Sequence, residues 1–311
     1  MSQKISITVL VENSVHERGL KAEHGLAWHI QFGSHQVLFD TGQTNLLVEN
    51  ARQLGISLDR LDAIVLSHGH YDHTGGLAAV VTSSPCPPVF LHPAAREPKF
   101  SLQPDGTPRF IGLPEASHAF LMHHQARIIE TRTCTEVVKG LFVTGEIPRR
   151  TSYEDPGGRF FLDERATQPD PVRDDQAVFF DTSAGVVVLL GCAHAGVVNT
   201  LDYIQELNPG RPVRAVLGGL HLLNASPERL AATVEALRPS RGCGKVFPDA
   251  ALRPALAAGL RLSVNASIKL RFDQTLQRCE HKSRWIQSLR ARICTTAAWQ
   301  CSRVRWTWMR G

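Results

Sequence analysis

The chain has 311 residues, of which 43% are hydrophobic and 20% charged, with a net charge of +5. This is the composition of a soluble globular protein, and the length suits one large domain or two small ones. Thr275–Gly311 carries eight basic residues against Glu280, a local +7, so the remainder stands at −2 and offers no electrostatic footprint for nucleic acid.

Met1-Ser2-Gln3-Lys4 leads directly into the strand-like Ile5–Val11, with no signal-peptide pattern, and a cytoplasmic location is expected. Residues 26–32, 36–39 and 63–66 also read as strands, and residues 46–54 read as a helix ended by Gly55. Next comes Ser67-His68-Gly69-His70-Tyr71-Asp72-His73-Thr74-Gly75-Gly76-Leu77. It sets three imidazoles and a carboxylate within six residues, between a strand and a helix expected to start at Leu77. Imidazole and carboxylate are the usual ligands of zinc and similar divalent ions. A metal centre on the strand-to-helix loop is therefore expected.

Residues 86–125 are rich in Pro, His and Gly and weakly periodic. They predict a long surface excursion of the lid type, with His92, His118, His123 and His124 at the surface. Residues 127–145 return to strand-like sequence, and 149–175 are polar and rich in turn formers. Gly185–Leu190 is a continuous β-branched and apolar run, the pattern of a strand buried on both faces. It ends in Gly191-Cys192-Ala193-His194-Ala195-Gly196, and a helix is expected over Val197–Leu207. Residues 213–217 form another strand ending in Gly218-Gly219-Leu220-His221, and residues 227–237 a helix capped by Ser226. Three strand ends thus deliver His68, His194 and His221 to loops, where open α/β sheets bind ligands. The longest apolar run, residues 185–198, is shorter than the ~18–20 residues of a membrane span. The seven cysteines form no C-x-x-C pair and read as free thiols.

Several residues admit more than one reading. His194 is either a ligand or a structural histidine. Cys192 is a near-metal thiolate or a small buried residue. His221 is a ligand, a substrate contact or a loop residue. Arg149 and Arg150 follow Gly145-Glu146-Ile147-Pro148, where an arginine can grip a phosphate with two parallel hydrogen bonds or be a solvated loop residue. Glu146 and Glu154 are candidates to orient that loop.

These motifs resemble the metallo-β-lactamase-fold superfamily of metal-dependent hydrolases over roughly residues 1–250. The residues concerned are Phe39-Asp40-Thr41-Gly42, the His68–His73 cluster, Asp174-Asp175-Gln176-Ala177, the segment 191–200 and Gly218-Gly219-Leu220-His221-Leu222. Together with residues 145–149 they are similar to the subgroup named for dihydropterin ribofuranosylaminobenzene 5′-phosphate synthase. The resemblance implies a four-layer αββα domain over residues 1–272. It implies two divalent metal ions, zinc before manganese or iron. His68, His70 and His194 would hold the first, and Asp72 and His73 the second, with Asp72 alternatively a base. Asp40 and Cys192 would stand behind the ligands, and Arg149 or His221 would meet a small, phosphorylated pterin-like substrate. Neither nucleic acid nor a membrane is expected as a partner.

The subgroup's late ligand histidine, in a His-Cys-Thr-Gly-like segment, has no counterpart at residues 245–251, and no histidine lies between His221 and His281. Asp249 and His221 are the candidates to replace it. Residues 273–311 form an appended basic segment holding four of the five tryptophans and three of the seven cysteines. That segment reads as a partner-binding tail or as an atypical extension. The expected activity is hydrolysis or phosphate handling through metal-activated water. The alternatives are an impaired metal- or ligand-binding protein on the same fold, favoured by the missing histidine, and a nucleic-acid-processing hydrolase, disfavoured by the near-neutral body.

Overall fold

The computed structural model describes residues 5–15, 17–81 and 86–237, and the backbone of 246–248. Two six-stranded sheets carry the fold. The first runs β1 (Ile5–Val11), β2 (Ala27–Phe32), β3 (His35–Phe39), β4 (Ala63–Val65), β5 (Val89–Leu91) and β8 (Ile128–Glu130). It is antiparallel up to β3 and parallel from there on. The second runs β15 (Val246–Pro248), β14 (Val213–Gly218), β13 (Gly185–Leu190), β12 (Val178–Thr182), β10 (Leu141–Val143) and β9 (Thr135–Val138). Its β13–β14–β15 portion is parallel. A small third sheet joins β11 (Phe160–Phe161), β6 (Phe100–Leu102) and β7 (Pro108–Phe110).

The period-two alternation of side chains sorts the apolar residues into layers. Val37, Phe39, Ala63 and Val65 of the first sheet and Val187 and Leu189 of the second meet in one core between the sheets. Leu38 and Ile64 point the other way, onto α1 (Leu46–Gln53), α3 (Leu77–Val80) and α4 (Glu115–His123). Val186, Val188 and Leu190 face α5 (Val197–Leu207), with α6 (Pro227–Ala236) packed beside it. The result is the expected αββα order. β13 is buried on both faces, so truncating Leu189 to alanine costs about 2–5 kcal/mol. At α6, the Ser226 hydroxyl accepts the Arg229 N–H at 3.1 Å, as its cap position predicts.

Two expectations are corrected. Residues 86–125 are not a surface excursion: Val89–Leu91 is an inner strand of the first sheet, flanked by Pro87-Pro88 and His92-Pro93, which mask so short a run. The segment also supplies β6, β7 and α4. His92 is buried at 3% exposure and caps a 3₁₀ turn through Nδ1, while His118 and His123 are exposed on α4. The histidine cluster is likewise not wholly a loop. The backbone is extended at His70 and then turns into the one-turn helix α2 (Tyr71–Thr74), which carries Asp72 and His73. Val178–Thr182 adds a strand unassigned from sequence. Asp249 and the segment 273–311 lie outside the described residues. Among the described residues no helix is long and apolar enough to cross a membrane.

Candidate metal centre

The C-terminal ends of β4, β13 and β14 converge on one cavity of about 290 Å³. His70, Asp72, His73, Cys192, His194 and His221 all line it. His68 lies just beneath, fully buried. Gly191 permits this convergence, because a Cβ there would sit 2.1 Å from the Ser67 hydroxyl and 3.2 Å from the Asp40 carboxylate.

Proton positions follow from the hydrogen bonds. Asp40, at φ 61°, accepts the Ser67 amide at 2.6 Å and the Ser67 hydroxyl at 2.7 Å. The Ser67 oxygen is then free to accept from His68 Nδ1 at 2.8 Å, which leaves the lone pair of His68 on Nε2. His194 donates through Nδ1 to the Pro156 carbonyl at 2.7 Å, leaving its Nε2 buried and without a hydrogen-bond partner. His68 Nε2 faces His70 Nδ1 at 3.0 Å. One ligand atom from each of His68, His70 and His194 falls within 4.8 Å of the others. Burial pushes His68 and His194 well below the usual imidazole pKa and takes His70 down to about 3. All three are neutral at pH 7, so their lone pairs are available. Three packed neutral imidazoles, two of them (His70 and His194) with an orphaned Nε2, fit a divalent cation.

A second set is mixed. His73 donates through Nδ1 to Asp40 at 2.7 Å and turns Nε2 toward the Cys192 thiol at 3.1 Å and Asp72 Oδ2 at 3.7 Å. Burial alone would lower the pKa of His73, but Cys192, Asp40 and Asp72 together raise it well above the usual value. Burial would raise Asp72, and His73, His70 and His24 outweigh it and hold the carboxylate low. Cys192 faces into the cluster, within ligand distance of His68 and His73 and also of His194 and His221. It is therefore not placed behind the ligands, whereas Asp40 is. The His221 ring centroid lies 4.5 Å from that of His194. Its fit depends on Gly157, where φ is +84° and a Cβ would approach the imidazole to 2.2 Å.

The Asp174-Asp175-Gln176 run clamps the loops that carry these side chains. Asp174 accepts the Gly69 amide at 2.6 Å, and Gln176 donates to the Leu66 carbonyl at 2.8 Å. Asp175 accepts the Ala195 amide at 2.7 Å. Lys99, with no exposed surface, completes the clamp by bonding Asp174 at 2.8 Å and Asp170 at 2.9 Å. Sequence reading missed Lys99 because it sits in the segment taken for a lid. It also missed His24, whose Nδ1 lies 3.3 Å from Asp72.

Arg149 does not reach the cavity. Its guanidinium donates to the backbone carbonyls of His194 at 2.8 Å and Val172 at 3.3 Å, and to that of Pro171. Arg150 pairs with Glu206 at the surface. Glu154, suspected of orienting the same loop, accepts the Val198 and Asn199 amides at the start of α5.

Comparison with known proteins agrees with the fold. The chain is 30% identical over 226 residues to an uncharacterised protein of Methanocaldococcus jannaschii, covering 72% of this chain and 82% of that one. It is 29% identical over 231 residues to the same organism's 7,8-dihydropterin-6-methyl-4-(beta-D-ribofuranosyl)-aminobenzene-5'-phosphate synthase, covering 70% and 77%. A solved metal-dependent hydrolase of the beta-lactamase superfamily superposes with a TM-score of 0.64 at 31% identity, covering 80% of this chain and 88% of that one. The Metallo-beta-lactamase superfamily model matches residues 21–204, and the chain belongs to that superfamily.

Proposed function

We propose that the protein is a metal-dependent hydrolase or related phosphate-handling enzyme acting on a small organic substrate. The observation that carries this reading is the convergence of His68, His70 and His194, three buried neutral imidazoles with two nitrogens orphaned. These three would hold one divalent ion, zinc before manganese or iron, because imidazole suits zinc and iron and the mixed nitrogen and oxygen donors of the cavity do not select strongly against manganese. His73, Asp72 and Cys192 would hold a second, with His221 at its edge. A divalent ion bound there supplies Lewis acidity and brings the pKa of coordinated water toward about 7.

The chain's own residues prepare that chemistry. Asp40 and Pro156 fix the imidazole orientations, and the Asp174–Gln176 clamp fixes the loops. Asp72 remains ionised well below neutral pH, which suits a ligand better than a general base, whose pKa works best near the operating pH. The 29% identity to a pterin-phosphate synthase supports a small phosphorylated ring compound as substrate.

The test is metal content per chain, followed by a panel of phosphodiesters, phosphomonoesters and lactones with zinc or manganese added. At least one tightly held ion and turnover of a panel member are expected. Full turnover surviving loss of both His68 and His70 overturns the hydrolase reading. Less than one ion per chain and no turnover leaves the non-catalytic binder.

A further inference from the structure

Among the described residues lining the cavity, Arg109 is the sole arginine or lysine. It lies on β7, opposite Ser101 of β6, in the three-stranded sheet. That sheet is tied to the histidine cluster where the Tyr71 amide donates to the Ile111 carbonyl at 2.9 Å. Tyr71 stands between His70 and Asp72, and the Arg109 guanidinium sits 5.5 Å from its ring centroid. Stacking of this kind restrains a guanidinium without using up its in-plane donors. Arg173 and Arg211 close on Glu146 and Asp181, whereas Arg109 has no ion-pair partner among the described residues. From the same small sheet, Phe160 sets its ring 5.1 Å from His70 and 5.4 Å from His194, an aromatic wall beside the imidazoles.

Resting on the reading of this cavity as a catalytic site, we propose that Arg109 is its anion-recognising residue. It selects substrates that pair a ring or other apolar body with an oxyanion, phosphate or carboxylate. The apolar body packs on Phe160 and Tyr71, and the oxyanion takes two parallel hydrogen bonds from the guanidinium. Arg149, the arginine that sequence favours for this task, is committed to backbone carbonyls.

The test is calorimetric binding of phenyl phosphate, benzoate and phenol to the full chain, metal-loaded and chelator-treated, in the wild type, Arg109→Ala and Arg109→Lys. Phenyl phosphate or benzoate is expected to bind at least tenfold more tightly than phenol. Arg109→Ala should weaken that anion by about ten- to hundredfold, leave phenol unchanged, and be partly restored by Arg109→Lys. The ratio of phenyl phosphate to benzoate affinity tells which oxyanion the site prefers. Anion binding within twofold of wild type in Arg109→Ala, or no anion binding by wild type, overturns the proposal. A protein that holds no metal but shows the Arg109 dependence in the chelator-treated arm defeats the metallohydrolase reading and leaves this one standing. Arg109 is exposed, so folding of both variants is checked by thermal unfolding.

Discussion

The two candidate ligand sets in the cavity are built differently. His68, His70 and His194 are chemically uniform and buried, and hydrogen bonds or packing hold their rings. His73, Asp72, Cys192 and His221 mix imidazole, carboxylate and thiol, and His221 and Cys192 are only part-buried. As proposed, the first set would be preorganised for one ion, so little ordering cost would remain. The second set depends on residues from α2 and two separate loops. The contrast teaches that a short motif can complete one site with a single distant partner, while the neighbouring site needs the whole cavity.

The largest effect that would sharpen this contrast is loss of an imidazole from the uniform set. His194→Ala should cost the first ion more than a hundredfold in affinity, beyond the ~10–100-fold typical of outer partners, and abolish turnover. Metal analysis after dialysis reads it, and an unchanged ion count would erase the distinction between the sets. Lys99→Met comes next. It strands the Asp170 and Asp174 carboxylates in the interior, an effect of about 3–5 kcal/mol on denaturant unfolding. A change below about 1 kcal/mol, no more than an exposed ion pair gives, would mean that the clamp on Gly69 does not depend on this lysine.

Asp40→Asn removes the carboxylate behind His73 and should weaken metal binding at the mixed set by about 10–100-fold. Equal weakening of both ions would show that the sets are one coupled unit. The smallest effect concerns pH. Burial raises Asp175 to about 7, above its unfolded value near 4, so the folded state holds an extra proton between these pH values. Asp175's contribution to the stability of the chelator-treated protein should then be full below pH ~4 and lost as pH rises through about 7. Asp175→Asn should flatten that slope in denaturant titrations at pH 5 and 8, and an identical slope in the variant would remove Asp175 as its source.

Much of the scaffold was legible in the sequence. Ile5–Val11, Gly185–Leu190 and Val197–Leu207 form as read, because each combines a long, clean period with a clear boundary. Val89–Leu91 was hidden because three residues between prolines carry no measurable period. The β6–β7 hairpin left a readable signal in Asp105-Gly106 between two short runs, a common turn pair. Arg149 and Arg109 show the limit for single residues. Both are arginines near turn-rich sequence, and nothing local tells which one meets a cavity.

The sequence by itself determined the His68–His73 cluster, the strand ends that present His194 and His221, and the alternation that builds the layers. These depend on neighbours a few residues apart, where spacing and chain geometry decide the outcome. Only the tertiary structure decided that Cys192 faces the cluster, that Lys99 clamps Asp174, and that Arg109 rather than Arg149 lines the cavity. Those outcomes turn on contacts between residues dozens of positions apart, and burial and hydrogen-bond satisfaction become defined only once the sheets and loops have packed.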